Sequence, residues 1–383
     1  MDLTFTEEEQ AFRAEARAWL EANVPRPALP SGDTREGFAF HKEWERALFD
    51  ARWAVVSWPQ GYGGRDATLM EWLIFEEEYY RAGGPQRVTQ NGIFLLAPTL
   101  FELGTKEQQD RILPKMASAE ETWCQGWSEP NAGSDLAGIK SRAVRDDANG
   151  GWRLSGQKTW TTRGAFCDRL FGLFRTDPEA ERHRGLTYFL VDLQADGVTV
   201  RPVERLDGDE GFAEVFLEDV FVPDRDVLGA VHEGWRVAMA TTGSERGLTL
   251  RSPGRFMAAA DRLAALYRAH ADHADATVRD AVVRAWIDAD AYRWQTFWTV
   301  TRLMDGGRTG PEASLVKIFW SELDVRLHET ALQLLGSRAE LVDGDEAGWM
   351  KGWQFALSGP IYAGTNEIQR NVVAERVLGL PRR

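Results

Sequence analysis

The chain has 383 residues, 43% of them apolar and 27% charged, which is material for two or three packed subdomains and excludes a disordered chain. Its formal net charge of -14 argues against nucleic acid or an anionic membrane surface as a partner, because phosphate attraction requires clustered Lys and Arg. Cys124 and Cys167 make neither a disulfide framework nor a metal-binding pair, and the N-terminus lacks a signal-peptide pattern, so no metal is expected and the expected location is the cytoplasm.

The first predicted element is a helix. Thr6 and Glu9 have capping-box spacing, Phe12, Ala16, Trp19 and Leu20 recur on one face, and Pro25, Pro27 and Pro30 stop it. A second helix is expected from His41 to Trp53, before a loop at Trp58–Gly64 whose glycines lack the dinucleotide-binding spacing. Helices at Leu69–Ala82 and Phe94–Leu103 follow, and Thr105 opens a short capped helix ending near Pro114. Residues 1–117 therefore read as a helical domain.

From Thr122 the pattern changes to short alternating runs: Trp152–Leu154, Arg169–Phe174, Leu186–Val191, Val198–Val203 and Ala213–Phe221. They define a middle β domain, 118–228, built as an antiparallel sheet or small barrel. The helical period returns over about 232–269, 274–305, 312–336, 345–357 and 365–378, giving a C-terminal helical domain, 229–383. Helices, then strands, then helices make an α+β fold.

Three stretches can carry chemistry. In Trp127–Asp135, hydroxyls and backbone N–H groups of a turn-rich loop can converge on a ligand, although composition alone makes it only a loop. In Gly156–Gly164, an extended backbone puts Trp160 and Thr162 on one face, either toward a ligand or as a core ring beside an ordinary strand threonine. In Pro360–Arg370, Gly364 permits close backbone approach, Thr365 can cap a helix, and Ile368, Val372, Val373 and Val377 mark its buried face.

These stretches, with Glu214–Pro223, resemble in order and spacing the motifs of acyl-CoA dehydrogenases, flavoproteins that desaturate acyl thioesters between the α and β carbons. The resemblance runs from the Trp58–Gly64 loop to about Leu378. It implies an N-terminal helical domain, a middle β-barrel domain and a C-terminal four-helix domain. It further implies that Ser128, Trp160 and Thr162 lie against the flavin ring of FAD, that Ser134 lies near the pyrophosphate or thioester carrier, and that Thr365 and Glu367 complete the cofactor site. Gln333 and Gly336 match the segment that reaches a neighbouring subunit's FAD; otherwise they are an ordinary helix end. The implied partners are acyl-CoA or another acyl thioester and an electron-transfer flavoprotein.

Two departures qualify the resemblance. Many members carry the proton-abstracting glutamate immediately before the Gly-Thr, where this chain has Ala363. The replacement base expected from the resemblance is Glu245, on the helix after the β domain, with Arg246 tuning the site; the plain alternatives are a solvated glutamate and an exposed arginine. The Arg-x-x-Phe-Gly run of many relatives is missing from Tyr267–Val283, which points to a second acyl-CoA dehydrogenase-like subunit in an α2β2-type assembly. Two functions stay open: a flavoenzyme using Glu245, and a catalytically silent subunit that holds FAD or a partner.

Overall fold

The computed structural model describes residues 4–245, 252–273, 275–307, 309–344 and 346–382. The chain opens with helices α1 (Glu7–Asn23), α2 (Arg35–Asp50), α3 (Leu69–Arg81), α4 (Ala97–Leu103) and α5 (Lys106–Ala117). Strands β1 (Trp123–Gly126), β2 (Arg142–Asp146), β3 (Gly151–Lys158) and β4 (Arg169–Arg175) come next. They continue as β5 (Leu186–Asp192), β6 (Val198–Val203), β7 (Phe212–Pro223) and β8 (Val227–Leu228). Helices resume as α6 (Gly234–Glu245), α7 (Pro253–His270), α8 (Ala276–Met304), α9 (Ala313–Leu335), α10 (Gly348–Ala356) and α11 (Asn366–Val372). The chain is therefore an α+β protein, with helices, a middle sheet and helices again.

Several boundaries differ from the sequence reading, each for a local reason. α2 starts at Arg35 because Thr34 caps it, its hydroxyl accepting from Gly37 N at 3.1 Å. Pro114 does not end α5; it sits in the last turn, and the helix runs to Ala117. The expected single helix over 232–269 is interrupted: Ser252, with non-helical backbone, caps a separate α7 that has Pro253 in its first turn.

Residues 27–66 and 86–245 form one compact unit around the sheet. Its strand order is β6-β7-β3-β2-β4-β5-β8, with β1 added parallel to β4. Alternation explains β7: Ala213, Val215 and Leu217 are buried, then Val220 and Val222, so the inward parity switches between Leu217 and Val220. A bulge does this. Glu218 and Asp219 fall where the β3 register shifts, Asp219 has φ 55, and its N–H is met by the Ser155 hydroxyl at 3.2 Å. The inward side chains, among them Leu154, Leu170, Phe174, Phe189 and Val191, are solvent-free, each contributing about 1.5–3 kcal/mol by burial.

Residues 1–26, 67–85 and 246–383 form the other compact unit, so α1 and α3 belong with the C-terminal helices while α2, α4 and α5 belong with the sheet. α1 is tied to α3 by charge: buried Glu78 accepts from Arg13 at 2.9 Å and from Arg17 at 2.9 and 3.0 Å. Burial pushes the Glu78 carboxyl up, but Arg17, Arg13 and Arg81 outweigh it and hold it below the ordinary range. α7, α8 and α9 share an apolar core that includes Phe256, Leu263, Tyr292, Trp320 and Leu327. Among the described residues, no helix is long and apolar enough to cross a membrane, and no cluster of His, Cys, Asp and Glu could hold a metal ion.

Candidate functional site

In the sheet unit, the segment after β1 and the segment after β3 are joined by one backbone bond, Thr159 N to Ser128 O at 2.9 Å. Glu129 makes this junction rigid. Its carboxylate accepts from Lys140 N at 2.6 Å, Ser141 N at 3.0 Å and Lys158 Nζ at 2.8 Å, while Lys158 also donates to Leu173 O at 2.8 Å. Lys158 is fully buried, and burial pushes its ammonium down to about 8 against the pull of Glu129. The Glu129 carboxyl is raised by burial but lowered more by Lys158 and these donors, so the pair is ionised at neutral pH. Ser128 is half-buried and Ser134 exposed; Arg175 pins the stretch after Ser134 by donating to Ala137 O at 3.1 Å and Ile139 O at 3.4 Å.

The expectation that Trp160 and Thr162 lie along a strand is corrected. β3 ends at Lys158, and Trp160 and Arg163 adopt φ 56 and φ 55, left-handed conformations that cost non-glycine residues about 1–2 kcal/mol each. Trp160 is consequently not a core ring. It stands 60% exposed, edge-on to Phe212 at 5.8 Å, while the next residue, Thr161, is buried and Thr162 half-buried. The backbone is held by reciprocal Thr161 and Ala213 bonds of 3.0 and 2.9 Å and by Arg163 N to Gly211 O at 2.9 Å.

The described part of α6 runs to Glu245, whose side chain, like the whole of Arg246, lies outside what is described. One turn before Glu245, the buried Thr241 hydroxyl contacts Thr99 Oγ1 of α4 at 2.9 Å and Tyr188 OH of β5 at 3.3 Å. A chain of hydroxyls thus fixes the direction of α6.

In the helical unit, the terminal turn has the same left-handed device: Ala363 at φ 56 and Gly364 at φ 81. A glycine at 364 suits that conformation; an alanine at 363 is strained. The turn is held by amides. Gln369 Nε2 donates to Ala363 O at 3.2 Å and Gly364 O at 3.3 Å, and Asn366 Oδ1 accepts from Lys317 Nζ at 2.8 Å and Ser321 Oγ at 3.2 Å. Thr365 caps α11, accepting from Ile368 N at 3.3 Å. The expected buried apolar face is overturned here: Asn366 and Gln369 are buried by these bonds, Ile368 and Val377 are exposed, and Val372 and Val373 are half-buried. Glu367 is exposed, its carboxyl lowered by its own backbone N–H and the Thr365 hydroxyl. Gln333 is exposed near the end of α9, and Gly336, at φ 56, faces open space.

The FAD implied by the resemblance fits what the sheet unit offers. Trp127 Nε1 and Thr161 Oγ1 are buried polar atoms without a protein partner, on the two segments joined through Thr159 and Ser128. Next to Thr161 in the chain is the exposed indole of Trp160. Polar atoms and a ring suit a planar, heteroatom-edged ligand. The ionic partners that fix this loop were not legible as such. Asp33, Arg163 and Arg205 meet from 130 and 172 positions apart, and no local pattern links them.

The family models described as acyl-CoA dehydrogenase N-terminal, middle and C-terminal domain match residues 6–120, 124–220 and 232–378. The chain is 39% identical to acyl-CoA dehydrogenase IpdE1 of Mycolicibacterium smegmatis, covering 98% of both chains. It is 37% identical to acyl-CoA dehydrogenase IpdE1 of Mycobacterium tuberculosis, covering 97% of this chain and 98% of the relative. Among solved structures it is similar to the Tcur3481-Tcur3483 steroid acyl-CoA dehydrogenase, with TM-score 0.88, 27% identity and 100% of both chains covered. The ChsE4-ChsE5 complex from Mycobacterium tuberculosis gives TM-score 0.83 at 26% identity, again over 100% of both chains.

Proposed function

The chain belongs to the acyl-CoA dehydrogenase family, and from that premise we propose that it desaturates a bulky acyl-CoA thioester with Glu245 as the base. The observation that carries this reading is Ala363. Its methyl, on a turn otherwise built to present a side chain, cannot accept a proton, so the carboxylate must come from elsewhere in the chain. The described part of α6 runs to Glu245 and is held by the Thr99, Thr241 and Tyr188 hydroxyls.

When bound, FAD supplies the acceptor for the β hydride. The Glu245 carboxylate takes the α proton, and Arg246 tunes its charge. Ser128, Trp160 and Thr162 hold the flavin ring, Ser134 receives the pyrophosphate or the thioester carrier, and Thr365 and Glu367 contribute from the terminal turn. Gln333 and Gly336, exposed at the end of α9, reach toward the FAD of a neighbouring subunit. An electron-transfer flavoprotein would be the partner that accepts the electrons.

The similarity to two two-component structures supports a second, complementary subunit, and the steroid acyl-CoA dehydrogenase among them supports a ring-bearing acyl group. The substitution Glu245→Gln tests the base: activity should fall by about 10²–10⁴-fold with FAD retained. Unchanged activity in the assembled complex would make this chain the silent, cofactor-holding subunit instead.

A further inference from the structure

Three segments distant in sequence meet in the sheet unit at a buried ionic cluster. Asp33, just before α2, accepts from Arg163 Nε at 2.6 Å with one oxygen and from Arg205 Nη1 at 2.6 Å with the other. Arg205 also donates to Asp207 at 3.1 and 2.8 Å and to Asp209 at 3.4 Å, and Ser31 donates to Asp209. Asp33 and Arg163 are buried, so their pairing has little competition from water. Gly211 is required for the arrangement: a Cβ there would meet Arg205 Nη1 at 2.3 Å.

The cluster grips the Trp160 loop at its Arg163 end, and the segment just after Asp209 holds the other end. Arg163 closes the loop and is left-handed, like Trp160; on the facing segment, Gly211 and Ala213 receive the backbone of Arg163 and Thr161, and Phe212 between them meets the indole. A Thr-Trp-Thr run left to itself prefers extended backbone, which would swing the ring off Phe212. Oppositely charged side chains buried together are a poor source of net stability compared with apolar packing, but they hold one geometry.

We propose that Asp33, Arg163 and Arg205 are positioning residues that hold Trp160 and Thr162 in the conformation that receives the flavin ring. The proposal rests on the reading that Trp160 and Thr162 bind that ring. It gives the chain a cofactor-site determinant in the segment before α2, far from every cofactor motif in sequence.

The test uses the full-length protein, titrated with FAD and followed by flavin fluorescence and visible absorbance, with circular dichroism to report the fold. Asp33→Asn and the milder Arg163→Gln should keep the circular dichroism of the parent and bind FAD roughly tenfold more weakly, with Asp33→Glu recovering part of the affinity. Trp160→Ala is the control for the underlying reading. If it weakens FAD binding while Asp33→Asn and Arg163→Gln bind like the parent, the clamp is refuted and the reading survives. If Trp160→Ala leaves FAD binding unchanged, the reading fails and the proposal with it. Should Asp33→Asn not fold, Arg163→Gln decides, since Asp33 then keeps Arg205.

Discussion

Trp160 and Ala363 have the same φ of 56, in turns of different units, and the two turns are held in opposite ways. The Trp160 loop hangs on buried ions, the pairs Lys158 with Glu129 and Arg163 with Asp33. The terminal turn hangs on the amides of Asn366 and Gln369 and a lysine that meets a neutral oxygen. One turn presents a large ring; the other presents a methyl. The difference teaches that a backbone geometry can persist where its side chain can no longer perform proton transfer, and that chemistry must then be sought on another element.

The comparison can be broken hardest at Lys158. Lys158→Met would leave the Glu129 carboxylate buried without its cation, at a cost of about 3–5 kcal/mol in urea unfolding. A loss under about 1 kcal/mol would mean that the ionic anchors of this loop are dispensable.

Acid should separate the two turns next. Burial pushes the Asp33 carboxyl up, but Arg163 and Arg205 outweigh it, so its folded value lies below its ordinary one. Its contribution is therefore complete above the unfolded value of about 4 and is lost as pH falls through the lower folded value. The acid limb of stability, measured by urea midpoint against pH, should flatten in Asp33→Asn. The amides of the terminal turn have no titration of this kind.

The smallest effect sharpens the comparison from the other side. Ala363→Gly removes a strained left-handed alanine and should raise stability by about 1 kcal/mol or less, visible as a higher thermal midpoint. A lower midpoint would show that the Ala363 methyl is packed to a purpose.

How much of this was legible in the sequence follows from the range of each interaction. The capping pairs Thr6 with Glu9 and Thr105 with Gln108 are three residues apart, and both are formed. β7 carried its own alternating signal, and β5 a continuous apolar run buried on both faces. β1, four residues paired in parallel with β4, β2, largely exposed, and β8, two residues long, carried none. The Trp160 loop reads as strand because Thr and Trp favour extended backbone; its left-handed turn is imposed by Asp33 and the segment around Gly211, which lie far away in the chain. The motifs drew attention to the stretches around Trp160 and Ala363, but neither their left-handed turns nor the anchors that shape them could be read without coordinates.

The most direct test of the account is hydrogen exchange at the substrate's α carbon. Incubated in D2O with a panel of saturated acyl-CoA thioesters and its bound FAD, the protein should exchange the α hydrogen of its substrate, and Glu245→Gln should abolish that exchange while retaining the flavin. Undiminished exchange in Glu245→Gln would contradict the account and move the base to another residue.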